Sequence, residues 1–195
     1  MPRAGGWSGC RRARSAAGAE PPLRILLEGR PGVGKSTVAR RLAERLLESS
    51  VPVTGFVTDE LRESGRRVGF AVETLDGRRA VLARVGLRSP VRVSKYGVDL
   101  EAFERVALRT VRPKSKRTVV LIDELGKMEL ASERFRAAVT ELFETTRPVV
   151  ATVHVARDPF TDALKRRRDV ETVRVSTRNR DELPDQLAER LSTAA

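Results

Sequence analysis

The chain carries a complete G-x-x-x-x-G-K-[ST] loop, Gly29-Arg30-Pro31-Gly32-Val33-Gly34-Lys35-Ser36-Thr37. It lies between Leu23 to Glu28, which reads as a strand, and Val38 to Leu47, which reads as a helix. Glycines let consecutive backbone N–H groups turn inward around phosphate oxygens, and the helix that follows presents its positive end to the same anion. In this context the loop implies binding of a nucleoside triphosphate. Lys35 is placed to reach the β- and γ-phosphates and Ser36 to offer its hydroxyl to Mg2+, with Thr37 supporting the first turn of the helix.

A second segment points to the same chemistry. Thr118-Val119-Val120-Leu121-Ile122-Asp123-Glu124 is a short apolar run, rich in β-branched residues, that ends in two carboxylates. A buried parallel strand with an acidic carboxyl edge reads this way, and the segment looks like a Walker B strand. Asp123 is the expected Mg2+ ligand, directly or through water. Glu124, one water away from the γ-phosphate, is placed to orient or deprotonate an attacking water or hydroxyl.

Composition narrows the alternatives. A chain of 195 residues accommodates one α/β domain. At 40% hydrophobic and 33% charged residues it reads as a soluble, cytoplasmic protein, without a stretch long enough to cross a membrane. Cys10 is the only cysteine and His154 the only histidine, so Mg2+ brought with the nucleotide is the expected metal. The net charge is +12, and the first 22 residues, with four arginines against one glutamate, leave +9 on the remainder. That excess suits polyanions in general. The basic clusters Arg112 to Arg117 and Lys165 to Arg168 are not interleaved with aromatic residues, so nucleic acid is not the favoured partner.

Residues 1–22, rich in Gly, Ala, Ser and Arg and ending in Pro21-Pro22, read as a disordered basic extension, with the domain running from 23 to 195. After the first helix, Val53 to Thr58, Val68 to Thr74 and Arg79 to Ala83 read as strands. The turn signals Glu63-Ser64-Gly65-Arg66 and Asp76-Gly77 separate them, giving an antiparallel meander inserted into a parallel sheet. Asp99 can cap a helix bearing Leu100, Phe103 and Ala107, and Phe135, Ala138, Val139, Leu142 and Phe143 mark another. Pro148 to Val153 and Val170 to Val175 read as strands, Asp158-Pro159 opens a short helix, and Leu183, Leu187 and Leu191 form a stripe on the last one. Ligands are expected at the carboxyl ends of the strands.

Taken together, the motifs resemble the small nucleoside triphosphatases first described in thermophiles, a family with a human relative called cancer-related nucleoside triphosphatase. The resemblance rests on the phosphate loop, on Gly55-Phe56-Val57-Thr58-Asp59-Glu60 with Arg66-Arg67-Val68-Gly69-Phe70, and on Tyr96-Gly97-Val98-Asp99-Leu100 with Phe103-Glu104. It continues through Ile122-Asp123-Glu124-Leu125-Gly126-Lys127-Met128-Glu129-Leu130, Ala151-Thr152-Val153-His154 and Asn179-Arg180-Asp181, and spans about residues 23–192. It implies a three-layer P-loop fold similar to nucleotide kinases, with a mostly parallel sheet and the inserted meander. The activity it implies is Mg2+-dependent hydrolysis of the γ-phosphate of ATP, GTP, CTP and UTP. A kinase that passes the γ-phosphate to a nucleotide or other small acceptor, and a nucleic-acid-stimulated ATPase, are the alternatives.

Several residues have two readings. Asn179 and Arg180 contact the base, or Asn179 caps the last helix with Asp181 and Glu182 in its first turn. Lys127 touches the γ-phosphate or is a surface lysine. Arg66, Arg67 and Arg166 to Arg168 are either solvated charges or the source of an arginine finger. His154 is expected to satisfy a loop hydrogen bond, and Tyr96 and Phe103 to pack in the core or a lid.

Overall fold

The computed structural model describes residues 23–194, and the basic extension lies outside them. Strand β1 (Arg24–Gly29) leads through the phosphate loop into helix α1 (Lys35–Glu48). Strands β2 (Val53–Glu63), β3 (Arg66–Thr74), β4 (Arg79–Val85), β5 (Arg92–Val93) and β6 (Tyr96–Val98) follow. Helix α2 (Leu100–Thr110), strand β7 (Val119–Ile122), a 3-10 turn over Glu129–Ala131 and helix α3 (Glu133–Phe143) come next. The chain closes with β8 (Val149–His154), α4 (Pro159–Lys165), β9 (Glu171–Arg174) and α5 (Leu183–Ala194).

Among the described residues all nine strands join one sheet in the order β5-β6-β4-β3-β2-β7-β8-β1-β9. From β2 to β9 the pairing is parallel; from β2 to β5 it is antiparallel. The meander is therefore inserted in sequence but continues the sheet sideways in space. Its last turn adds the short strands β5 and β6, which the sequence pattern does not announce.

Side-chain alternation sends each central strand into two cores. Leu26, Val120, Ile122, Val149, Ala151 and Val153 face Phe103 and Val106 of α2 and Phe135, Val139 and Leu142 of α3. Their neighbours Ile25, Leu27, Val119, Leu121 and Val150 face Val38, Leu42 and Leu46 of α1 and Leu183, Leu187 and Leu191 of α5. Three layers result. Phe103 stands edge-on to Phe56 with ring centroids 5.7 Å apart and to Phe135 at 5.0 Å, so it belongs to the core. The Asp99 carboxylate accepts from the Ala102 backbone N–H at 2.9 Å, and Asp158 caps α4 with Pro159 in its first turn.

Strand β2 changes partner midway. Val53 to Phe56 pair with β7, whereas Phe56 to Glu63 pair with β3. Beyond Phe56, which aligns with the last residue of β7, the strand therefore runs on for about 23 Å past the carboxyl edge of the parallel sheet. At the change of partner Gly55 has φ +138°, and a Cβ there would sit 1.8 Å from the Leu121 carbonyl oxygen. No flexible side chain can yield at this contact. Gly55→Ala is expected to destabilise the domain by about 4 kcal/mol or more. Chemical denaturation checks this; a loss below about 1 kcal/mol would mean that the backbones part easily.

Candidate active site

The phosphate loop and the acidic strand meet at the carboxyl edge of the sheet with one strand between them. Strand β8 pairs with β1 on one side and β7 on the other, which sets β1 and β7 about 10 Å apart. Lys35 and Glu124, just past the end of β7, bridge that gap.

Helix α1 begins differently from its neighbours. Helices α2, α3 and α4 are capped by the side chains of Asp99, Ser132 and Asp158, and each has an acid in its first turn. The first turn of α1 has neither a side-chain cap nor an acid, because Gly34 occupies the cap position. Gly32 and Gly34 take φ +74° and +110°, which wraps the loop around the helix end. The uncapped N–H groups and the helix dipole together favour an anion here. Inside the wrap, the Lys35 ammonium lies 3.2 Å from the Gly29 carbonyl oxygen and 3.5 Å from that of Arg30. It is also 3.5 Å from Glu124. Arg30, Pro31 and Gly32 form the exposed crest of the loop, Val33, Gly34 and Ser36 are half-buried, and Thr37 is exposed.

Asp123 is almost completely buried, 1% exposed. Its Oδ1 accepts a hydrogen bond of 2.6 Å from the Thr152 hydroxyl on β8, while its Oδ2 is buried with no hydrogen-bond partner among the described residues. Burial pushes its carboxyl above the usual range, and the Thr152 hydrogen bond and the nearby Ser36 hydroxyl pull against that shift. An orphaned carboxylate oxygen beside a serine hydroxyl is the hard-oxygen donor set that Mg2+ prefers. The residues fit the metal. Glu124, by contrast, keeps a third of its side chain exposed, so it can reach a bound substrate.

The projecting β2 closes one side. Thr58 donates to the Asp123 carbonyl oxygen at 2.7 Å, and Asp59 is ion-paired with Arg40 of α1. Behind this wall lies Glu129, 4% exposed. Burial, followed by the nearby Glu124 and Asp123 charges, pushes its carboxyl up to about 8, while backbone N–H groups of Glu129 and Gly126 oppose the rise.

The remaining candidates separate. Arg180 lies over the loop, its guanidinium 3.3 Å from the Val33 carbonyl oxygen. Asn179 turns backward: its amide oxygen accepts from the Ser176 N–H at 2.8 Å and its amide nitrogen donates to the Arg174 carbonyl at 2.9 Å. Helix α5 starts only at Leu183, so the side chain of Asn179 closes the turn after β9 rather than capping the helix. Lys127 is exposed on the loop after β7. Arg67 is paired with Glu60 at 2.6 Å and donates to the Tyr96 hydroxyl. Arg167 is held by Asp169 and Glu144; Asp169 also pairs with Arg24, the first residue of β1, which puts Arg167 toward the edge opposite the loop. Arg66, Arg166 and Arg168 are exposed. The ring nitrogen of His154 accepts from the Ala156 N–H at 2.7 Å, the expected loop bond. Lys165, from the basic cluster, neutralises Glu28 at 2.7 Å.

Thr58, Thr152 and Glu129 are the site residues not anticipated from sequence chemistry. Thr152 had a signal, as the one hydroxyl within the apolar run of β8. For Glu129 the signal was only its place in the block that carries the family resemblance, since an acid in a polar turn ordinarily points to water.

Comparison with known proteins places this geometry among relatives. The sequence profile of a family described as NTPase matches residues 24–188. The nucleoside-triphosphatase THEP1 of Thermotoga sp. (strain RQ2) is 42% identical over 166 residues, covering 85% of this chain and 93% of that protein. The cancer-related nucleoside-triphosphatase of Homo sapiens is 40% identical over 176 residues, covering 83% and 93%. Among solved structures, THEP1 from the hyperthermophile Aquifex aeolicus matches with a TM-score of 0.78 at 30% identity, covering 87% of this chain and 99% of its own. The human cancer-related nucleoside triphosphatase matches with a TM-score of 0.77 at 37% identity, covering 89% and 99%. Among the described residues no helix is long and apolar enough to cross a membrane.

Proposed function

The chain belongs to the nucleoside-triphosphatase family, and from that premise we propose that it is a Mg2+-dependent hydrolase that converts ATP, GTP, CTP and UTP to the diphosphate and phosphate. The observation that carries this reading is the convergence, across β8, of a phosphate-loop lysine with a partly exposed glutamate and a buried, half-satisfied aspartate. Gly29 to Thr37 cradle the triphosphate, with Lys35 on its β- and γ-oxygens. Asp123 and Ser36 are the residues that would hold Mg2+, whose chemistry is to neutralise charge on the phosphate oxygens. Glu124 orients a water in line with the γ-phosphate and accepts its proton. Arg180, already over the loop, and Lys127 add positive charge at the rim. Asn179 serves by holding the turn that carries Arg180.

This mechanism makes few demands on the base, because every residue in it addresses phosphate, metal or water. Phosphate release from the four triphosphates, with and without Mg2+, is the test. Release from all four that stops when the metal is chelated is the expected result. A phosphorylated product formed faster than free phosphate in the presence of a nucleoside pool would make the protein a kinase. A jump in rate on adding RNA would make it a nucleic-acid-coupled ATPase.

A further inference from the structure

We propose that Glu129 is a positioning residue that fixes the direction of the Glu124 carboxylate, an inference that rests on the reading of Glu124 as the group that orients water. The two side chains face each other across Gly126. A Cβ built on Gly126 would lie 2.8 Å from Glu129 Oε2 and 2.9 Å from Glu124 Oε1, so both carboxyl groups border the small space that the missing side chain leaves. Their freedom differs. Glu129 is buried at the head of the 3-10 turn, where the Leu130 N–H donates to the Gly126 carbonyl and the Ser132 N–H to that of Glu129. Thr58, 3.5 Å from Glu129 Oε1, closes its remaining side. Glu124 is partly exposed, and its other oxygen faces Lys35 at 3.5 Å.

The fixed group therefore limits the movable one. With Glu129 filling the far side, Glu124 stays turned toward the phosphate loop. When Glu129 is shortened, the Glu124 carboxylate gains room to swing back over Gly126 and away from the γ-phosphate. Small misplacements of this kind cost turnover more than binding.

The experiment compares Glu129→Ala, Glu129→Gln and Gly126→Ala, each alone and combined with Glu124→Gln. It reads kcat for ATP hydrolysis and the Kd of a non-hydrolysable ATP analogue. Glu129→Ala is expected to lower kcat by about 10-fold or more while Kd stays within about 3-fold. Glu129→Gln, which keeps the length and volume, is expected to recover most of that loss. Gly126→Ala puts a methyl group 2.8 Å from Glu129 Oε2 and 2.9 Å from Glu124 Oε1, so it displaces the movable Glu124 carboxylate directly and is expected to lower kcat as well. In the Glu124→Gln background none of the three should lower the rate further, because they act through Glu124. Unchanged kcat in Gly126→Ala, equal losses in kcat and affinity, or a loss that persists without Glu124 would each overturn the proposal. If Glu129→Ala does not fold, Gly126→Ala and Glu129→Gln decide by the same criteria. Normal turnover in Glu124→Gln alone would instead remove the reading of Glu124.

Discussion

Lys35→Ala is expected to weaken binding of the Mg2+–nucleotide complex by about 100-fold or more, since hydrogen bonds to charged groups contribute about 1.5–3 kcal/mol each and this lysine serves two phosphates. The ligand-free geometry argues that the amine waits for them. Its carbonyl contacts of 3.2 and 3.5 Å are long, and its ion pair with Glu124 is at 3.5 Å, so phosphate oxygens can displace all three. For the same reason the fold should tolerate the substitution. The Gly29 and Arg30 carbonyls that lose the ammonium lie at the edge of the sheet, and Glu124 retains access to water. Calorimetric titration with a non-hydrolysable triphosphate, beside a thermal melt, checks both halves. A Kd within about 3-fold of wild type would remove Lys35 from the binding site.

Glu124→Gln is expected to do the opposite: lower kcat by about 100-fold or more, in the range found for a lost general base, with no loss of nucleotide affinity. Affinity should hold or improve, because the substitution removes a carboxylate that competes with phosphate for the Lys35 ammonium. Single-turnover hydrolysis and analogue binding separate the two effects. Equal falls in turnover and affinity would reassign Glu124 from water to ground-state binding.

Much of this architecture is written locally. The apolar runs of β1, β7 and β8, the caps Asp99 and Asp158 and the leucine stripe of α5 are visible because each follows from a residue's immediate neighbours. The phosphate loop and the Asp123-Glu124 pair are legible for the same reason. What escapes is the part created by bringing distant segments together. The length of β2 depends on β3, its antiparallel partner, rather than on its own alternating residues. The little strands β5 and β6 exist through hydrogen bonds to each other and to β4. Glu129 enters the site because Thr58, 71 positions earlier, covers it. The arginines illustrate the reverse: Arg67 and Arg167 resemble free cations in the sequence, and the fold supplies their carboxylate partners.

The placement of β1 also bears on how the protein is made. This strand is made before the other strands of the described residues, yet its partners are β8 and β9, which begin at Val149 and Glu171. Until residue 149 has been synthesised, Ile25, Leu26 and Leu27 have no strand to pair with, and the loop they carry has no floor. The nascent chain therefore holds an apolar segment in reserve while more than a hundred further residues are made, when such segments are prone to misassociation. Competence to bind nucleotide waits for β8 and β9. A prematurely terminated chain would carry the whole phosphate-loop sequence and still lack the function it signifies.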